Sequence, residues 1–327
     1  MAQAAEERRE GLRRALRQIG PARLIATAAF LILALAFARF SWQLPLASDA
    51  ERALYDIRFL AAAERVGQDE RIVLVTYNDE TLEMLGKRSP LDRAMLAEAL
   101  GAIDAMGARA IGIDILFDQP QAEDPLLLER LRGMKTPTWL AFASSAGAHN
   151  AQQMHYRQEQ FLRGFIAAAA VGPVRPASIK LETDWEDGVI RRWARPDPTL
   201  PLLLANAMAD ANPAFRRYDG RIDFRLPENP DVPVFTNLPI EVVAASGDAL
   251  ADIFRGRYVL IGGDINDLDN FETPMSRETG GWMKGLEVHA QMLAQKLDGR
   301  MPAPVPGWAL WTIALAVVIA GGLSSLL

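Results

Sequence analysis

The 327-residue chain contains no cysteine. That absence excludes disulfides, zinc–thiolate sites and thiol nucleophiles, so a domain outside the cytoplasm must be held by its own core. No nucleophile elbow, zincin helix or Walker loop occurs, which argues against an enzyme. Internal repeats are missing, and low complexity is confined to short alanine runs. Basic charge is in deficit: residues 47–327 hold 28 Lys and Arg against 38 Asp and Glu, a net of −10. That balance is too acidic for a general nucleic-acid binder. Half of the residues are hydrophobic and 23% are charged, a globular composition. Charge of either sign is absent from Gly307 to Leu327.

That uncharged run is long enough for a bilayer core of roughly 30 Å at about 1.5 Å per residue. Trp308 and Trp311 stand at its start, where aromatic rings favour the interface. A second apolar run covers Leu24–Ala38 and reaches a full span at Leu46 if Arg39 snorkels to the headgroups. Ahead of it lie Arg8, Arg9, Arg13, Arg14, Arg17 and Arg23, a basic bias that predicts a cytoplasmic N-terminus. A cleaved signal peptide is the rival, with Ala36-Phe37-Ala38 as its cleavage pattern. The long leader and the second span favour an uncleaved anchor. The expected organisation is a basic leader at 1–23, a span at 24–46, an extracytoplasmic domain at 47–303 and a second span at 307–327. An output module is expected beyond residue 327.

Between the spans, the pattern predicts a helix over 48–68, then a buried strand over 71–77. Ser89 and Pro90 are expected to open a helix buried through Leu96, Leu100 and Ile103, ending at Gly107. A second buried strand over 108–117 completes a βαβ unit, so the two strands should be parallel and neighbouring or nearly so. A helix is expected at 124–132, strands at 138–144, 164–171, 189–195 and 221–226, and a helix at 200–210. Two short helices at 240–246 and 249–254 lead to a buried strand at 258–261, and a last helix spans 286–297. The predicted fold class is α/β, a mainly parallel sheet flanked by helices, with an irregular central insertion over 146–237, bracketed by two transmembrane helices.

Particular residues carry a family resemblance. Ile72-Val-Leu-Val-Thr-Tyr-Asn78-Asp79, Leu85-Gly86 and the stretch Gly107-Ala-Arg-Ala-Ile-Gly-Ile-Asp114-Ile-Leu-Phe117 form its first half. Gly256-Arg-Tyr-Val-Leu-Ile-Gly262, Asp269, Thr273-Pro274 and Gly285-Leu-Glu-Val-His-Ala290 form its second. Over about 49–299 the chain resembles the type-two CHASE domain, a sensory module of bacterial adenylate and guanylate cyclases, histidine kinases and Ser/Thr kinases. Asn78 stands where that family usually has Asp, and Ser89 and Leu91 replace two aromatic residues. The resemblance implies one span before the domain, further spans after it and a cytoplasmic catalytic module.

The candidate ligand-binding residues are Asp79, Arg93, Asp114, Asp118, Asp269 and Thr273. In parallel sheets, ligands bind beyond the carboxyl ends of the strands. If the strands near 72, 109 and 258 share one sheet, Asp79, Asp118 and the 264–274 loop should meet at one edge, with Asp114 just beneath. Gathered carboxylates repel unless a cation, an arginine or backbone N–H groups compensate, and Arg93 is the nearest internal candidate. The alternative is structural: caps and loop anchors. Asp264, Asn266, Asp267, Asp269 and Asn270 form an acidic loop whose spacing approaches that of a calcium site without the required Gly and Glu. Gly262-Gly263 without a lysine is a weak phosphate signal. His289 shares a helical face with Leu286, Leu293 and Leu297 and reads as a core residue, while His149 and His155 lie in a polar excursion. No catalytic residue, metal or cofactor is expected.

The sequence therefore reads as the sensory input segment of a signalling protein, most simply a cyclase receptor of the inner membrane. A membrane-tethered, metal-dependent hydrolase using Asp79, Asp114 and Asp269 is one alternative, and a ligand-free assembly scaffold is another. The expected partners are the lipid bilayer, a second copy in a homodimer and an unknown small ligand or stimulus.

Overall fold

The computed structural model describes residues 21–145, 154–276 and 280–324. The basic leader up to residue 20, His149 and the last three residues of the second apolar run lie outside the described residues. The chain divides into two compact units, residues 1–57 with 303–327 and residues 58–302. In the first, the helices Pro21–Phe40 and Gly307–Ser324 are each long and apolar enough to cross a membrane, and their side chains are almost wholly exposed. Arg39 packs its guanidinium over Phe40 at 5.0 Å and Trp311 at 5.5 Å. A helix expected over 48–68 runs over Pro45–Ala62.

Among the described residues the second unit contains ten strands: β1 (Arg65–Val66), β2 (Ile72–Asn78), β3 (Ala110–Ile113), β4 (Thr138–Phe142), β5 (Val174–Ser178), β6 (Leu226–Pro227), β7 (Thr236–Pro239), β8 (Tyr258–Asp264), β9 (Asn270–Phe271) and β10 (Met283–Lys284). Six of them form one sheet in the order β5-β4-β3-β8-β2-β7, every pairing parallel. The expectation of one parallel sheet therefore holds, with a correction to its order. β8 lies between β2 and β3, paired along the whole length of β2 from Ile72↔Tyr258 to Asn78↔Asp264. All of Ile72–Tyr77 and Tyr258–Ile261 are buried, so each strand needs a neighbour on both sides and a helical layer on both faces.

On one face, Val73, Val75, Ile111, Ile113, Val259 and Ile261 join the helices Arg93–Ala105, Asp124–Gly133 and Ile240–Ala245 in the main core. The other face carries the helices Leu204–Met208 and Gly285–Asp298. Gly262 lets the second of these approach: a Cβ at 262 would lie 2.9 Å from a methyl of Leu286.

Several local expectations are corrected. The N-cap of the Arg93–Ala105 helix is Asp92, which accepts the Met95 N–H at 2.8 Å, and Ser89 lies in the preceding loop. Residues 164–171 fall mostly in the helix Tyr156–Ala169, whose buried Leu162, Phe165, Ile166 and Ala169 have helical spacing. The adjacent strand is β5, so the irregular insertion begins after Ser178 and not at 146. Residues 189–195 and 221–225 make only isolated bridges, Glu182↔Arg192 and Arg192↔Arg221.

That irregular segment is held by two amides of the last helix. Gln291 accepts the Arg225 N–H at 3.1 Å and donates to the Arg225 carbonyl at 3.2 Å, as a neighbouring strand would. Gln295 accepts from the Trp193 indole at 2.8 Å and the Asp223 N–H at 3.1 Å, and donates to the carbonyls of Arg221 and Arg300. Beside them Arg225 pairs with Asp69 at 3.0 Å and with Asp298, and Arg71 joins both acids.

Because a buried amide that loses its partner leaves a cost of roughly 1–3 kcal/mol per orphaned group, Gln295→Leu is expected to destabilise the protein by about 3–5 kcal/mol and Gln291→Leu by about 1–3 kcal/mol. Denaturant unfolding measures both. A loss below about 1 kcal/mol for Gln295→Leu would contradict this account of the insertion.

Candidate functional site

Parallel strands bring their carboxyl ends, and the loops after them, to one edge. β3 stops at Ile113, in register with Ile261 of β8. Asp114 follows, its N–H donating to the Ile261 carbonyl at 2.7 Å. Its side chain, 7% exposed, lies beside Gly262, with Oδ2 4.0 Å from Nε2 of His289. Burial alone pushes its carboxyl up to about 7.

Asp269 reaches the same place from the loop after β8. Its backbone is left-handed, φ 55°, and its residue surface is exposed, yet the carboxyl turns inward. A Cβ at position 285 would sit 2.2 Å from its Oδ2, so any larger residue there would have to displace this carboxyl. Gly285 opens the helix Gly285–Asp298, whose N-terminal dipole favours a carboxylate. Even so, Asp269 is pushed up to about 6, first by burial and then by the charge of Asp114, against the opposing pull of His289 and Lys284.

Two more titratable groups come from the same helix. Glu287 is pushed up to about 7 by burial and, secondarily, by Asp264. His289 is 2% exposed, its Nδ1 is buried with no hydrogen-bond partner, and burial pushes its imidazole down to about 4. His289 does sit in the core, as its apolar face predicts, but its Nδ1 lacks a partner and two carboxyls lie beside it, while the charge of Asp269 and the Ile179 backbone pull its imidazole the other way. The signal in the sequence is Gly285-Leu-Glu-Val-His289 placed after a strand that ends in Gly262-Gly263.

The compensating cation is a lysine. Lys284 donates from Nζ to the carbonyls of Ile265 and Leu268 and to Asn270 Oδ1 at 2.7 Å, so an ammonium gathers the acidic loop. Asp79 binds the same loop from β2, its Oδ2 accepting the Asn266 N–H at 3.1 Å. Asn78 caps the helix Asp79–Leu85, accepting the Thr81 N–H at 2.8 Å.

The other sequence candidates lie elsewhere. Arg93, 2% exposed, pairs with Asp124, donates to the Gln119 carbonyl at 2.8 Å and lies over the rings of Phe117 and Phe165. It serves the helical layer and does not reach the carboxyl edge. Asp118 accepts from Gln158 at 2.6 Å, turned toward the helix Tyr156–Ala169. Thr273 is buried in a turn, where its N–H donates to Ser276 Oγ and its hydroxyl accepts the Met275 N–H. Among the described residues no three Asp, Glu or His side chains are grouped to hold a metal ion. Two cavities are lined by other residues, one of about 50 Å³ at the carboxyl end of β5 near Ser178 and Tyr218, the other of about 640 Å³ at the amino-terminal ends of β3 and β8.

A six-stranded, all-parallel sheet with buried acids at its carboxyl edge, preceded and followed in sequence by apolar helices, makes this an α/β domain. The family model of the CHASE2 domain matches residues 27–324, and the chain belongs to that family. CHASE2 domains are extracytoplasmic sensory domains of signalling proteins, and the two flanking apolar helices are consistent with a membrane protein. No curated protein and no solved structure matches the chain significantly.

The pH dependence follows from the signs. Between about 4 and about 7 the folded state holds a proton on Asp114 that the unfolded state releases, so this contribution to stability is complete below the unfolded pKa and falls as pH rises. His289 acts oppositely: the unfolded imidazole binds protons that the folded one refuses, so its contribution falls as pH drops below about 6.5. Asp114→Asn should therefore match the wild type in Tm near pH 4 and exceed it by several degrees above pH 7, a gain on the order of 3 kcal/mol. Thermal unfolding across pH checks it. An equal Tm difference at pH 4.5 and pH 8 would exclude Asp114 as a buried titrating group.

Proposed function

We propose that this chain is the sensory input segment of an inner-membrane receptor, and that the carboxyl edge formed by Asp79, Asp114, Asp269, Glu287 and His289 is its sensing site. The observation that carries the reading is the pair Asp114 and His289: an acid and a base face each other inside the fold, 4.0 Å apart, and the Nδ1 of the base has no hydrogen-bond partner. Natural cores satisfy buried polar groups, and groups left short of partners are what a stimulus can act on. A ligand there would be cationic or hydrogen-bond donating. The output we assign is an adenylate or guanylate cyclase, with a kinase as second choice, on the strength of the family's usual partners. The hydrolase reading is the weaker, since among the described residues no three acids or histidines stand close enough to hold a metal ion.

In cells carrying the protein with its output module, Asp114→Asn and Gly285→Ala should each change basal cyclic-nucleotide output several-fold at equal membrane level. Unchanged output in both variants would remove this edge from sensing.

The membrane arrangement we propose has the N-terminus in the cytoplasm, the 47–303 domain outside, and a homodimer meeting near the helix Pro45–Ala62 and the two spans, since relative motion of paired spans is a simple bistable element. An alkaline-phosphatase reporter fused after residue 146 should be active, and cysteines placed along 50–60 should cross-link between copies. An inactive reporter, or cysteines that never cross-link, would overturn the topology or the dimer respectively.

A further inference from the structure

A small cavity of about 50 Å³ lies beyond the carboxyl end of β5, between Ser178 and the irregular segment that runs through Arg216 and Tyr218. Three cationic side chains line it: Lys180, Arg195 and Arg216. Among the described residues none of these three forms an ion pair within the protein. The one acid in the wall, Asp197, already accepts from the Thr199 N–H at 2.9 Å and hydroxyl at 2.6 Å. Those bonds, with help from the Lys180 charge, hold its carboxyl below the usual range, so it stays ionised. The lining therefore carries three positive charges against one negative.

Behind the wall is a fourth cation. Lys296 is 1% exposed and donates from Nζ to Asn206 Oδ1 at 3.0 Å and to the Asn206 carbonyl at 3.4 Å, and Asn206 itself lines the cavity. Among the described residues it forms no ion pair. Burial, then the charge of Arg216, pushes it down to about 8, with Asp210 pulling the other way. A concave site with a net positive charge concentrates anions.

We propose that this cavity binds a small dianionic oxyanion of the phosphate or sulfate class, with Lys180, Arg195 and Arg216 as charge-assisted donors and Lys296 supporting the field from behind. Size agrees with the charge. One water needs roughly 10–15 Å³ of such space, so the cavity admits a group of four or five heavy atoms, which a tetrahedral oxyanion has. Guanidinium forks suit its oxygens geometrically, and the lysine adds a point charge. The site lies on different residues from the carboxyl edge and takes a ligand of opposite sign. Its binding is read without any output module, so its failure would leave the sensory reading standing.

The test uses the detergent-solubilised full chain. Inorganic phosphate and sulfate at millimolar concentration should raise Tm saturably above chloride of equal ionic strength, acetate less so, with one site per chain by calorimetry. Lys180→Gln and Arg216→Gln should each weaken phosphate at least tenfold, while Arg109→Gln, in the separate cavity at the other end of the strands, should not. Glycerol phosphate separates a free oxyanion from an esterified one: equal affinity assigns the site to a phosphomonoester end. Phosphate should also slow acylation of the half-exposed Lys180 in the wild type, a readout that needs no variant. No shift beyond chloride, retention of the shift in both variants, or unprotected Lys180 would overturn the proposal.

Discussion

The structure depends on one helix that is buried nearly all round. Gly285–Asp298 packs on β2 and β8 and beside Leu204–Met208, and eleven of its fourteen residues are buried. Such a helix would ordinarily be apolar on every face. This one carries Glu287, His289, Gln291, Gln295 and Lys296, and each polar group must find a partner inside the protein or remain a cost. The two glutamines solve the problem completely: their amides take the place of a strand and fix residues 191–225, a segment too irregular to pair with itself. Lys296 solves it through Asn206. Glu287 and His289, in the first two turns, solve it least, and they lie where the sheet's carboxyl edge also delivers Asp114 and Asp269.

Much of this was legible in the sequence, and the failures have physical reasons. The strands near 72, 110 and 258 announce themselves by unbroken β-branched runs, because strands buried on both faces must be apolar throughout. Their parallel sense follows from the intervening helix. The sheet order does not, since nothing local records that β8 is the strand that pairs with both β2 and β3. Residues 164–171 mislead because Gly-Phe-Ile-Ala-Ala-Ala-Ala-Val is apolar at every position, and only the more distant Leu162 restores the helical period. Arg93 misleads differently: it is the nearest cation in sequence to the candidate acids, but the side chain belongs to the helical layer, held by Asp124 and two aromatic rings. At the site, Asp79, Asp114 and Asp269 could be named from the strand-end rule, whereas Lys284 and His289 could not. Their roles come from a loop closing back on a helix N-terminus, a contact between residues twenty to nearly two hundred positions apart.

The carboxyl edge is costly in a way the rest of the fold is not. Gly285 has no side chain because Asp269 occupies the space, and Asp269 accepts a left-handed backbone to put its carboxyl there. Asp114 and His289 are buried beside each other, and the His289 Nδ1 lacks a hydrogen-bond partner. Sequences optimised for stability remove such features, and those that persist mark places where structure is constrained by something other than folding. Here the opposing slopes matter. The raised acids favour lower pH and the depressed imidazole favours higher pH, so near neutrality a proton gained by one group is discouraged by the others. A site balanced in this way responds to any added charge, whether a proton, a cation or a donor, by changing the state of its neighbours. Because two of those neighbours lie on the helix that also anchors the 191–225 segment, a change at the edge bears on the element that holds the domain together.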